Sequence, residues 1–267
     1  MKDIKLIATD LDGCLMDADG KLPPNFDEAY DLMKKNNVIF AGASGRSISG
    51  LMRPFKDKAK DMTFISDNGA RIFHKGEMLF ERTLEKEDFI PMLGEMRSHK
   101  GLLPLACGQE NIWLEDESAV TKEMDREISK YFPVRKECRF EDIPEKVIKF
   151  AILYFDDIEK NIYPFFKKFD NERICVCVSA FVWIDIYLKE VSKGTGVKVI
   201  QDKFGIKPEE TVVFGDYLND MSLADYALYS YAPANAHEKV RERFYKTIEP
   251  NTQYGVTNKV IKLMKGD

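Results

Sequence analysis

The sequence predicts an α/β fold: a core built on a parallel β-sheet, interrupted by an inserted α+β domain. Three observations carry this. Short apolar runs alternate with helix-like segments over the first 66 or so residues, and again beyond Ser192. Between them, from about Leu84 to Glu190, strand-like segments come in adjacent pairs, the habit of an antiparallel sheet. Finally, two of the apolar runs end in a burst of aspartates, at the position where open α/β sheets place their ligands. The expected boundaries are 1–83 with 191–267 for the core and 84–190 for the insertion.

In chain order, residues 4–9 form a short buried strand. It stops at Asp10-Leu11-Asp12-Gly13, since Asp and Gly are poor strand formers. Asn25 is placed to cap a helix, with Glu28 in the reciprocal position and Phe26, Tyr30 and Met33 on one face. Residues 38–41 form a second buried strand that runs into the loop Gly42-Ala43-Ser44-Gly45-Arg46. A third, 64–66, meets the turn Asp67-Asn68-Gly69, and 71–73 with 78–80 read as a hairpin. In the insertion, helices are expected around 88–97, 118–131 and 159–169, and strands at 112–114, 147–155, 173–178 and 182–188. Beyond it come a helix over 196–203, a strand at 211–214 and further α/β units to Lys265.

The 267 residues, 44% hydrophobic and 32% charged, describe an ordinary globular chain long enough to bury a sizeable core. A net charge of -5 argues against nucleic acid as a partner. The five cysteines, Cys14, Cys107, Cys138, Cys175 and Cys177, are odd in number and contain no CxxC pair. That speaks against a disulfide framework or a zinc site and fits a reducing compartment. Cys175 and Cys177 share one face of a strand, where packed thiols are expected. There is no basic segment followed by an apolar stretch at the start of the chain, and no apolar run of membrane-spanning length. A cytoplasmic protein without a membrane partner is expected, monomeric or weakly homodimeric.

The strand at 211–214 ends, like the first, in a polar burst: Gly215-Asp216-Tyr217-Leu218-Asn219-Asp220. Two such strands can bring Asp10, Asp12, Asp216 and Asp220 to one edge of one sheet. Uncompensated, four carboxylates would repel and push their pKa values upward. A bound divalent cation removes the problem, and oxygen ligands suit Mg²⁺. Ser44-Gly45 offers a hydroxyl beside a flexible backbone, suited to an oxyanion. Lys193, read as standing just before a helix N-terminus, offers an ammonium for a phosphate. Read singly, the first is an ordinary turn and the second an ordinary solvated charge. Together with the carboxylates they compose a phosphoryl-transfer site.

These segments, Asp10-x-Asp12-Gly13, Ser44-Gly45-Arg46, Lys193-Gly194 and Gly215-Asp216-x-x-Asn219-Asp220, resemble the four ordered motifs of the haloacid dehalogenase superfamily. The insertion is similar to the cap of its Cof-type sugar-phosphatase branch, and Asn68-Gly69-Ala70 and Asn235-Ala236 resemble segments common there. The resemblance covers nearly the whole chain and implies a Rossmann-like core. It implies Asp10 as nucleophile and metal ligand, and Asp12 as general acid/base with its main-chain carbonyl on the metal. Asp216 is then a direct ligand and Asp220 a ligand or support. Ser44, Gly45, Lys193, the Leu11 backbone and Asn219 hold phosphate oxygens. The expected activity is Mg²⁺-dependent hydrolysis of a small phosphorylated metabolite through an aspartyl-phosphate, with sugar phosphates the leading class. Two departures stand out: Cys14 and Ser44 each occupy a position where threonine is common.

A phosphomutase uses the same aspartate pair and returns the phosphoryl group to a sugar. A regulatory protein would keep the site as a phosphate-ligand receptor without turnover. A receiver domain also gathers aspartates, but the lysine spacing and large insertion argue against it. His74, His99 and His237 lie outside every motif, and Trp183 is expected in the core of the insertion. Arg46 is read either as orienting the phosphate loop or as a structural ion pair.

Overall fold

The computed structural model describes residues 3–129 and 134–266. Its strands are β1 (Leu6–Asp10), β2 (Ile39–Ala43), β3 (Thr63–Ser66), β4 (Arg71–His74), β5 (Glu77–Glu81), β6 (Leu103–Gly108) and β7 (Ile112–Leu114). They continue with β8 (Arg135–Glu137), β9 (Val147–Leu153), β10 (Ile174–Ala180), β11 (Trp183–Leu188), β12 (Thr211–Phe214), β13 (Tyr229–Pro233) and β14 (Lys246–Ile248). The α-helices are α1 (Phe26–Lys35), α2 (Ile48–Met52), α3 (Lys86–Phe89), α4 (Leu93–Ser98) and α5 (Lys122–Ile128). They are followed by α6 (Ile158–Asn161), α7 (Tyr163–Lys167), α8 (Lys193–Phe204), α9 (Glu238–Arg243) and α10 (Gly255–Lys265). The chain divides into two compact units, Met1–Glu81 with Ser192–Asp267, and Arg82–Val191.

The first unit is the expected parallel-sheet core. Its strands lie in the order β14-β13-β12-β1-β2-β3-β4-β5. The first six are mutually parallel, and β4 and β5 add an antiparallel hairpin. The central strands β1 and β12 are buried along their whole length, as strands covered on both faces must be. On one face Ile7, Phe40 and Val212 meet Phe26, Tyr30 and Met33 of α1 and Val256 and Val260 of α10. On the other, Leu6, Ala8 and Val213 meet Val197 and Ile200 of α8 and Val240 of α9. Each buried Leu, Ile, Val, Phe or Met among them contributes about 1.5–3 kcal/mol. The register sets Leu6 opposite both Thr211 and Ile39, and Asp10 opposite Ala43. The residues after β1, β2 and β12 therefore emerge side by side at one sheet edge.

Two helix starts differ from expectation. Asn25 precedes α1 but its side chain makes no capping bond. It accepts from Thr257 Oγ1 at 2.6 Å and donates to Asn258 Oδ1 at 2.8 Å, so it ties α1 to α10 instead. Glu28 likewise pairs with Lys265. Helix α8 begins at Lys193, three residues early, because Ser192 and Thr195 form a capping box that outweighs the weak propensity of Gly194.

The second unit is an α+β module with the sheet order β10-β11-β9-β6-β7-β8, antiparallel except between β7 and β8. On one face the Phe150 ring packs against Phe89 and Phe140, each at 5.1 Å between centroids. On the other, Leu105, Leu114, Leu153 and Trp183 meet Met124 and Ile128 of α5. Trp183 is thus a core residue, as expected. The helices expected at 88–97 and 159–169 are each split, near Pro91 and Pro164, which cannot donate in a helix interior. Of the helix expected at 118–131, α5 covers the middle, and Tyr131 lies outside the described residues. No helix among the described residues is long and apolar enough to cross a membrane.

One carboxylate organises the loop before β7. Glu145 accepts from the amides of Glu110 (2.6 Å) and Asn111 (3.1 Å), from Asn111 Nδ2 (3.0 Å) and from Trp113 Nε1 (2.6 Å). Burial alone would raise its pKa, but these donors outweigh burial and hold it below the usual range. Glu145→Ala should cost about 2 kcal/mol in denaturant unfolding at neutral pH, given that the group is only partly buried. Because the folded-state pKa is depressed, this stabilisation is present above the unfolded-state value and is lost as pH falls through the folded one. The difference between variant and parent should therefore shrink in acid. A constant difference down to pH 3 would assign the effect to packing.

Candidate active site

Asp10 ends β1 and is buried. The ammonium of Lys193, 1% exposed, reaches it from the first residue of α8 and also bonds Asp220 Oδ1 at 2.6 Å. The other Asp220 oxygen accepts from the amides of Asp216 (2.9 Å) and Tyr217 (3.1 Å). Asp10, Asp216 and Asp220 each present an oxygen within 4.8 Å of the others. Three carboxylates thus face one ammonium, an excess of two negative charges. The titration behaviour follows. Burial, then the neighbouring Asp220, pushes Asp216 up to about 7. Burial raises Asp10 well above the carboxylate range, opposed by Lys193 and reinforced by Asp220 and Asp216. Burial would lower Lys193, but its two carboxylate partners outweigh it and keep it firmly protonated. Asp216 Oδ1 is buried and receives no hydrogen bond.

The fourth carboxylate does not join this cluster. Asp12 is half exposed at its side chain and is gripped by the Arg46 guanidinium. Nε bonds Oδ2 at 2.9 Å, and a second N–H bonds Oδ1. The expectation of four converging carboxylates is corrected to three, since a planar two-pronged cation outcompetes an already repulsive cluster. Between the two aspartates, Leu11 is wholly buried. Gly13 sits at φ +80°, and a Cβ there would stand 2.6 Å from Asp216 Oδ2, so only glycine lets the two acidic loops approach. Cys14 is buried beside Thr9 Oγ1 at 3.8 Å. Burial, then Asp216 and Asp10, push its thiol up, so it is a protonated packing group and not a reactive one.

Ser44 follows β2; its amide donates to the Ile65 carbonyl at 2.9 Å and its hydroxyl accepts from the Arg46 amide at 3.2 Å. Gly45 comes next in the same loop. Asn219, on the loop after β12, donates from Nδ2 to Asn68 Oδ1 at 3.2 Å. All nine residues singled out in the sequence lie in the first unit, next to β1, β2 or β12 or at the start of α8.

Sequence reasoning missed the supporting contacts. His237, which lies outside every motif, donates its main-chain amide to the Asp216 carbonyl at 2.8 Å. Asn235 Nδ2 donates to the Gly13 carbonyl at 2.8 Å, and its Oδ1 accepts from the Asn251 amide at 2.9 Å. The segments around Asn68 and Asn235 were visible as motifs, but no local pattern says what an amide side chain will hold.

A parallel α/β sheet whose edge presents three clustered carboxylates and a buried lysine, with a serine loop alongside, is a hydrolase scaffold. The sequence matches the haloacid dehalogenase-like hydrolases over residues 7–260, and the chain belongs to that family. It is 25% identical to the 5-amino-6-(5-phospho-D-ribitylamino)uracil phosphatase YbjI of Escherichia coli K12, over 98% of this chain and 97% of that one. It is also 25% identical to the phosphatase YcsE of Bacillus subtilis 168, named for the same compound, over 97% and 95%. Among solved structures, SMU.1108c of Streptococcus mutans UA159 matches with a TM-score of 0.88 at 25% identity, covering 98% of this chain and 99% of that one. The subclass IIB sugar phosphatase BT4131 shares the fold, with a TM-score of 0.80 at 22% identity over 98% and 99%. The chain is an enzyme of this kind, a hydrolase of phosphoric monoesters.

Proposed function

We propose that the protein is a Mg²⁺-dependent phosphatase of small phosphorylated metabolites, sugar and polyol phosphates foremost, working through a phosphoenzyme on Asp10. The observation that carries this reading is the charge imbalance at Asp10, Asp216, Asp220 and Lys193. Two uncompensated negative charges and an oxygen-only donor set fit a hard divalent cation, and the buried Asp216 Oδ1 lacks any other partner. The ribityl phosphate in the names of two relatives belongs to the proposed substrate class.

Asp10, Asp216 and the Asp12 carbonyl would hold the metal, with Asp220 in support, since both its oxygens are engaged by Lys193 and backbone amides. When bound, Mg²⁺ draws negative charge from the phosphoryl group and lets an anionic nucleophile approach it. Lys193, Ser44, Gly45, Asn219 and the Leu11 backbone hold phosphoryl oxygens. An Asp10 oxygen forms the bond to phosphorus as the ester P–O bond breaks. The bonding pair leaves with the alkoxide, which takes a proton from Asp12. Water then attacks the phosphoenzyme and gives a proton back to Asp12, and the Asp10 carboxylate departs. The unit 82–191 acts as a cap that contacts the remainder of the substrate and sets specificity.

Phosphate release from a panel of phosphorylated sugars, polyols and aryl esters tests the reading. Chelation should abolish activity, by at least ~10²-fold, and Mg²⁺ should restore it. Full activity in excess chelator would remove the metal from the mechanism. No release from any ester with Mg²⁺ present would remove the phosphatase.

A further inference from the structure

The turn that follows β3 carries three successive residues with positive φ: Asp67 at +52°, Asn68 at +58° and Gly69 at +105°. Left-handed backbone is unfavourable for any residue with a Cβ, least so for Asn and Asp. Such strain persists where the surroundings over-determine it, and it gathers at functional sites. Here the turn is buried, Asn68 being 6% exposed.

The contacts show what holds it. The Asp67 amide donates to the Arg46 carbonyl at 2.9 Å and the Asn68 amide to the Ser44 carbonyl at 3.0 Å. Two consecutive left-handed residues thus clamp the backbone on both sides of Gly45. The Asn68 side-chain amide lies against Gly45 itself: a Cβ there would stand 3.2 Å from both Nδ2 and Oδ1. On its far side, Asn68 Oδ1 accepts from Asn219 Nδ2 at 3.2 Å. Gly69 lies so close to the Ser192 carbonyl that a Cβ would overlap it, and Ser192 caps the helix that begins with Lys193. One strained turn therefore touches the serine loop, the Asn219 loop and the lysine helix.

We propose that Asn68 is a positioning residue for the phosphoryl group, fixing the Ser44–Gly45 loop and the Asn219 amide in a common geometry. The inference rests on the phosphate-holding roles proposed above. Asn68 makes no contact with Asp10, Asp216 or Asp220 in the hydrogen-bond pattern, so it should govern phosphoryl placement and leave metal binding alone.

Asn68→Gly is the informative variant, because glycine adopts the left-handed turn without strain and removes only the side chain. Equilibrium titration with inorganic phosphate in the presence of Mg²⁺ should show binding weakened roughly tenfold, the scale of one lost positioned hydrogen bond. Mg²⁺ binding and melting temperature should stay near those of the parent. The KM for an aryl phosphate should rise with kcat changed less than about threefold, as for a lost ground-state contact. Asn219→Ala should weaken phosphate to a similar extent, and Asn68→Gly combined with it should be little worse than either alone, since both remove one linked arrangement. Phosphate binding within twofold of the parent, or fully additive losses in the double variant, would overturn the proposal. The titration does not depend on turnover. A parent protein that binds phosphate but releases none from esters would end the phosphatase reading, and the titration would still decide the role of Asn68.

Discussion

Replacing Asp10 by Asn should abolish turnover, by at least ~10⁴-fold, while raising the melting temperature of the metal-free protein. The first effect follows from chemistry: a carboxamide is a poor nucleophile for phosphorus, and no second carboxylate is available to replace it, since Asp220 is fully engaged, Asp12 is turned to Arg46 and Asp216 is assigned to the metal in the proposed mechanism. The second follows from the crowding of charge. Asn is nearly isosteric, keeps an oxygen for Lys193, and removes a buried carboxylate that is raised by burial and by its neighbours Asp220 and Asp216. Phosphate release and calorimetry in chelator read the two effects. Turnover within 10²-fold of the parent would place the nucleophile elsewhere. A lower melting temperature would mean that the ionic bond to Lys193 outweighs the repulsion.

The second large effect concerns Asp12. The alkoxide of a sugar phosphate is a poor leaving group that needs a proton as its bond breaks, and Asp12, two residues beyond Asp10, is the carboxyl left free of the acidic cluster. Asp12→Asn should depress turnover of alkyl phosphates by at least ~10²-fold. Phosphorylation of the enzyme by an aryl ester, whose leaving group needs no proton, should suffer much less, although breakdown of the phosphoenzyme stays slow. Single-turnover phosphorylation with both esters separates the steps. Equal losses for the two would make Asp12 positional. The Arg46 fork adds a requirement: it holds both Asp12 oxygens, so one must come free to carry the proton.

The strands were legible where burial was complete on both faces. Residues 211–214 and the run ending at Asp10 show continuous apolar sequence with an abrupt polar stop, and β12 and β1 follow them closely. The central strand β6 was not anticipated, because Leu103–Gly108 contains Pro104 and a terminal glycine and shows no alternation. Helix interiors with Pro91 and Pro164 were read as continuous when each proline divides its segment. At the site, residue types and order were readable, since chemistry restricts them. Side-chain direction was not. Nothing local says that Arg46 will take Asp12 out of the acidic cluster, or that Asn25 will reach α10 instead of capping its own helix. These are contacts between segments 34 and more than 230 residues apart, decided by packing.

The insertion of one unit within the other also dictates an order of assembly during synthesis. β1 pairs with β12, residue 6 against residue 211, so one side of the central strand has no neighbour until the chain has grown beyond the whole of 82–191. The inserted unit is contiguous and has all its own contacts available by then. Closing so long a loop costs entropy before any pairing repays it, and a preformed unit between the two ends shortens the flexible chain that must be searched. Asp10 waits even longer for its surroundings: Lys193 and Asp220 arrive 183 and 210 residues later. The nascent protein therefore carries Asp10, the proposed nucleophile, through 210 further residues of synthesis before the partners that would let it act are all present.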